Sequence, residues 1–210
     1  MFGAKNIFEF LEIGGISMYL LFFCSILFVG VFIERVIEFY KKSKLKKEEF
    51  LDILKENLSK KDVTFVKNFC RKYDSPFARV IETGLENIEF DIEIINNAID
   101  RRIIKEIESL EKYTAIIGTI GNISVYLGLL GTVLGIIKAF ESIAITGSSN
   151  VNIVIKGVAE ALSTTAVGLM IAIPATIAYN YFQKKIEWFN GEMEYVASEF
   201  IDIIKIWKSM

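Results

Sequence analysis

The sequence has no histidine. That removes the commonest general base and the commonest metal ligand. Cysteine is nearly absent as well: Cys24 lies in an apolar run and Cys70 in a charged stretch. Neither a disulfide framework nor a zinc cluster is supported, and no cofactor or metal is expected. The net charge of −2 gives no reason to expect a nucleic-acid partner. Composition therefore argues against an enzyme. A further absence concerns position. The chain is 24% charged and yet 52% hydrophobic, so the charges are segregated, and none lies in the middle of the three long apolar runs.

Those runs are residues 13–33, 113–137 and 156–183, and each is long enough to cross a bilayer, which takes roughly 20 apolar residues. The first is too long for a signal-peptide core and is followed by no small-residue cleavage site. It is bulky, with Leu20, Leu21, Phe22, Phe23, Ile26, Leu27 and Phe28, as suits an outer, lipid-facing helix. The expected fold class is an all-α membrane protein: three transmembrane helices with long cytoplasmic helical extensions. Lysine and arginine near the run ends set the orientation. Arg35, Lys41 and Lys42 follow the first run, Arg101, Arg102, Lys105 and Lys112 precede the second, and Lys184 and Lys185 follow the third. The opposite side has only Lys5, Lys138 and Lys156. The N-terminus and a turn over 138–155 are thus placed outside. Residues 34–112 and the C-terminal helix 184–210 are placed in the cytoplasm.

Residues 1–12 admit two readings, a surface-lying amphipathic helix or a frayed start to the first span. Over 45–112 the pattern is helical. Leu51, Leu54 and Leu58 form one stripe, Val66, Phe69, Cys70 and Tyr73 another. Ser75 is a candidate cap with Pro76 at the first helical position. Ile92, Ile95, Ile99, Ile103, Ile107 and Leu110 run without a break into the second span. In the tail, Ile186, Phe189, Met193, Val196, Phe200, Ile203 and Trp207 form a heptad seam. It fits packing on cytoplasmic helices of the same or a neighbouring subunit. Glu34-Arg35 fits either an ion pair or a snorkelling arginine, the second being the simpler.

The second and third spans are unusual in their small residues. In the second, Gly118, Gly121, Asn122, Ser124, Gly128, Gly131, Thr132 and Gly135 fall mostly within one half; Ala161, Thr164, Thr165, Gly168, Ala172, Ala175 and Thr176 share a face of the third. Such faces let helix backbones approach closely. The hydroxyls of Thr132, Thr164 and Thr165 then have two readings: they line a lumen, or they satisfy themselves on carbonyls one turn back. Glu160 reads as a functional intramembrane carboxylate or as a first-turn acid at a helix N-terminus. Pro174, mid-span, removes one backbone hydrogen bond and predicts a kink. A proton relay needs a titratable group near mid-membrane. These spans supply none, so a relay through them needs a carboxylate from another polypeptide.

The blocks SVYLGLLGTVLGIIKAF (124–140) and GVAEALSTTAVGLMIAIPATIAYNYF (157–182) resemble the ExbB/TolQ/MotA proton-channel family. They are most similar to its ExbB and TolQ branches, which share the three-span layout. The resemblance implies a homopentameric ring whose second and third spans line a pore. It implies a single-span ExbD/TolR-like partner with an intramembrane Asp, and a TonB- or TolA-like transducer beyond it. Its polar pore positions fall on Thr132, Thr165 and Glu160, with Thr164 as an extra hydroxyl. Pro174 matches the family's AIPA proline. One departure is Ser124-Val125, where family members often carry Ala-Pro. The implied function is a proton-motive-force-driven stator subunit of the bacterial inner membrane. It would energise TonB-dependent uptake or envelope maintenance. A solute channel or transporter and a passive membrane scaffold are the alternatives.

Overall fold

The computed structural model describes residues 14–43, 45, 47–146 and 151–209. Among them the chain is helical throughout, with α1 (Gly15–Lys42), α2 (Lys47–Ser59), α3 (Val63–Lys72), α4 (Pro76–Glu86), α5 (Ile92–Thr146) and α6 (Val151–Ser209). Three of these, α1, α5 and α6, are long and apolar enough to cross a membrane. The segment 1–12 lies outside the described residues. The chain divides into two compact units. One comprises Met1–Ile33 and Thr114–Tyr181; the other comprises Glu34–Tyr113 and Phe182–Met210.

In the first unit Leu21, Ile120 and Ile171 form a core joined by Cys24, Phe28, Leu127 and Val167. Span one turns most of its bulk outward: Phe22, Phe23, Ile26 and Leu27 are exposed, a face suited to lipid rather than water. Helices occupy most of the described part of 138–155, which the sequence reads as a turn. Helix α5 continues to Thr146 and α6 starts at Val151. No Gly or Pro interrupts 136–146, and the Ser142 hydroxyl bonds the Lys138 carbonyl at 2.9 Å, inside the helix. Helix α6 also runs unbroken through Pro174.

The second unit is a helical bundle around the tail of α6. Ile186, Phe189, Met193, Val196 and Phe200 are all buried. Phe189 packs 5.8 Å from Phe77 and 6.2 Å from Phe39, centroid to centroid. Phe200 closes on Gly84, where a Cβ would sit 2.5 Å from its ring. The tail thus packs on helices of its own chain. Beyond Phe200 the buried positions are Ile201 and Ile204, not Ile203. A straight α-helix drifts by ~20° per heptad, so the seam rotates onto the neighbouring residue.

Ion pairs tie the helices together. Lys47 meets Glu192 and Lys55 meets Glu199, each at 2.7 Å. The hydrogen bond from Lys55 holds the Glu199 carboxyl below its ordinary value. One capping detail departs from expectation. Ser75 occupies the N-cap of α4, but its hydroxyl makes no cap bond, whereas Asp62 caps α3 through the Phe65 N–H at 2.9 Å. Arg35 is not a snorkelling side chain. It is 3% exposed and clasped by Glu34 at 2.6 Å. It donates to the Leu110 carbonyl at 3.2 Å and lies 5.0 Å over the Tyr113 ring. The carbonyl and the ring satisfy the guanidinium where it stands, so it has no need to reach for water.

Candidate functional site

The second and third spans meet along their small residues. A Cβ built on Gly121 would lie 3.0 Å from Thr176 Oγ1, on Gly128 3.1 Å from Thr165 Cα, and on Gly135 2.6 Å from Ala161 Cβ. On Gly157 it would lie 2.7 Å from Ala139 Cβ, and on Gly168 2.5 Å from the Ser124 carbonyl oxygen. The pairs climb one helix as they descend the other, an antiparallel ladder. Backbone meets backbone here because there is no side chain to hold the helices apart. Gly128, Gly131, Gly135 and Gly168 are all part of this contact.

The threonines divide on this ladder. Thr164 is fully buried and its hydroxyl reaches the Glu160 carbonyl at 3.4 Å. A Cβ on Gly14 would come within 2.8 Å of that hydroxyl, and Gly131 faces the Thr164 methyl, so Thr164 is packed among the three long helices of the chain. Thr132 bonds the Leu129 carbonyl at 2.6 Å, within its own helix. Thr165 behaves differently. Half-buried, it donates across the pair to the Gly128 carbonyl at 2.7 Å. Thr132 and Thr165 thus use consecutive carbonyls of α5, whereas Thr164 stands apart from them. Pro174 is exposed, and Thr176 is exposed as well although its hydroxyl faces Gly121 at the edge of the ladder.

Glu160 sits at the end of the pair, its side chain 34% exposed and 3.9 Å from Lys156. It lines a cavity of about 750 Å³ shared by Lys138, Glu141, Lys156 and Thr164. In the sequence Lys138 and Lys156 serve only as topology markers. The Lys138/Glu141 and Lys156/Glu160 spacings were the available signal, since residues three and four apart share a helix face. Two other hydroxyls belong here: Ser17, which nothing in the sequence singles out, and Ser124, which the sequence marks only as a small residue and as a departure from the family pattern. Ser17 and Ser124 are buried without a hydrogen-bond partner among the described residues. Among the same residues no His/Cys/Asp/Glu cluster suits a metal ion.

What this arrangement provides is a close-packed, uncharged helix pair carrying hydroxyls at mid-span and a mixed-charge vestibule at one end. The chain is 30% identical to the biopolymer transport protein ExbB of Salmonella typhimurium over 188 residues, covering 85% of this chain and 76% of that protein. It is 42% identical to the Tol-Pal system protein TolQ of Pseudomonas aeruginosa over 102 residues, 49% and 44% of the two chains. With the TolQ of Haemophilus influenzae it shares 34% over 128 residues, 61% and 56%. The family model for the MotA/TolQ/ExbB proton channel family matches residues 72–195, which takes in the whole helix ladder. The protein is a three-span member of the MotA/TolQ/ExbB proton channel family.

Proposed function

We propose that the chain is the wall-forming subunit of a proton-driven motor in the bacterial inner membrane, with its N-terminus outside and its C-terminus in the cytoplasm. Five copies form a ring around the single spans of an ExbD/TolR-like partner. The partner's intramembrane Asp takes up and releases protons, and its movement within the ring drives a TonB- or TolA-like transducer. The observation that carries this reading is the Thr165–Gly128 bond in a pair of spans without a mid-membrane charge. The wall offers hydroxyls at mid-membrane but no carboxylate or amine there, and proton transfer through it needs an acid from outside the chain. Thr132 and Thr165 serve as the polar wall opposite that acid. Glu160, in the charged vestibule, serves as the entry carboxylate, with Thr164 below it. Pro174 relaxes the backbone of the third span. Hydroxyls rather than an oxygen cage favour H⁺ over Na⁺ as the driving ion.

The test is proton flux in vesicles holding this chain with its partner. Thr165→Val and Glu160→Ala are expected to abolish flux and energised function while the complex still assembles. Wild-type flux in both variants would overturn the site assignment. Solute flux without any partner would overturn the motor itself.

A further inference from the structure

In the second unit, α5 carries opposite charges on its two flanks. One flank borders a groove of about 460 Å³ with Ile103, Ile104 and Ile107 as its floor and Asp100, Glu108, Glu111 and Glu194 as its rim. The other flank borders a smaller hollow lined by Thr83, Asn87, Ala98, Arg101, Arg102 and Lys105. At 100° per residue the two flanks point roughly 140° apart. Most charges that face a neighbouring helix in this unit are paired. Lys47 pairs with Glu192, Lys55 with Glu199, Arg71 with Glu82, and Glu106 with both Arg79 and Arg102. By contrast, Asp100, Arg101, Lys105, Glu108 and Glu111 form no ion pair with any described residue. Ile104 lies among them, 57% exposed. An isoleucine on that groove, with four acids around it and two unpaired bases round the helix, leaves both surfaces incomplete in a single protomer.

We infer that the acidic groove of one copy receives the Arg101/Lys105 flank of the next, so that Ile104 is covered and the five unpaired charges find partners. The occupant is a second copy because the complementary charges stand on the same helix of the same chain. Two different surfaces on one molecule, pointing apart, give a head-to-tail contact, the kind that builds a ring when its rotation closes. The inference rests on the ring proposed above and names the surfaces that hold its cytoplasmic part together. Like charges brought face to face across such a contact oppose association strongly, whereas complementary ones fix register.

The experiment uses the full chain in native membranes. Lys105→Cys and Ile107→Cys stand at nearly one height on opposite faces of the helix, so a bond between them has to join two chains. The double variant, treated with oxidant or a short bismaleimide, is expected to give a ladder of covalent multimers, and each single variant none. Separately, R101E/K105E is expected to lower multimer yield about tenfold, and adding E108K/E111K to restore it. A lysine-reactive cross-linker applied to the wild type distinguishes the two proposals. If it captures oligomers while the double cysteine variant gives no ladder, or while R101E/K105E assembles fully, the groove assignment is overturned and the ring stands. If it captures no oligomer at all, the ring falls and the groove assignment with it. Loss of multimers in R101E/K105E without rescue by the compensating pair would also overturn the assignment. The groove would then belong to a basic segment of another protein.

Discussion

The Thr165 hydroxyl and the Gly128 carbonyl oxygen meet at 2.7 Å across two antiparallel spans. In a regular α-helix that carbonyl also accepts the N–H of the residue four further on, here Thr132. One oxygen thus joins the third span to the peptide of the other candidate wall residue. Gly128 permits this because a side chain there would meet the Thr165 backbone.

The bond separates two roles of Thr165. Thr165→Ser retains the hydroxyl and is expected to keep both flux and assembly. Thr165→Val keeps the shape and removes the donor, at about 1 kcal/mol in stability and with total loss of flux. Assembly, read by size-exclusion chromatography, and flux, read in vesicles, separate the two effects. Equal flux in the Ser and Val variants would show that the hydroxyl has no part in conduction.

The ladder predicts opposite outcomes for two glycine-to-alanine changes. In Gly168→Ala the new methyl meets the Ser124 carbonyl oxygen and the Gly128 Cα, both backbone, which cannot swing aside. The helix pair should lose about 1–3 kcal/mol. Gly191 has open space around it in mid-helix, and Gly191→Ala should gain up to about 1 kcal/mol. Survival of the folded complex after heating, followed by size exclusion, should fall for the first and rise for the second.

Cys70 should be chemically silent in the native chain. It is 2% exposed, and burial pushes its thiol up from 9.0 to about 12, aided by the nearby Glu82 carboxylate. The unfolded chain releases this proton near pH 9 and the folded chain holds it. Stability is therefore whole below pH 9 and declines as the pH climbs from 9 towards 12. In a Cys24→Ala background, maleimide should label Cys70 only after denaturation. Rapid labelling of the native protein at pH 8 would contradict the burial.

Glu106 is 4% exposed and lies between Arg79 at 3.0 Å and Arg102 at 2.8 Å. Glu106→Ala leaves two guanidiniums facing each other, and the second unit should lose on the order of 2–4 kcal/mol. Both tryptophans, Trp188 and Trp207, lie in this unit, so a thermal melt read by their fluorescence reports on it directly. An unchanged midpoint would mean that the network contributes nothing.

Much of this fold is legible from spacing alone. Ile95, Ile99, Ile103 and Leu110 are buried where the stripe into the second span places them. The small residues of the two spans do form the contact that their shared faces imply. What spacing does not reveal are partners distant in the chain. Thr164 and Thr165 are neighbours of the same chemistry, yet one is enclosed within the protomer and the other bridges two spans. A turn of 100° separates them, and only the position of the other helix decides which is which. Arg35 carries the same lesson: its burial depends on the Leu110 carbonyl and the Tyr113 ring, remote in sequence. The seam after Phe200 moved by one residue because seven is not a whole number of helical turns.

The glycine ladder also limits where motion can occur. Its rungs are backbone atoms and methyl groups in contact, so the two spans cannot slide past one another without lifting every rung at once. The hairpin behaves as a single stave. On the motor proposed above, any stroke would then have to be taken up outside this pair, which itself stays rigid.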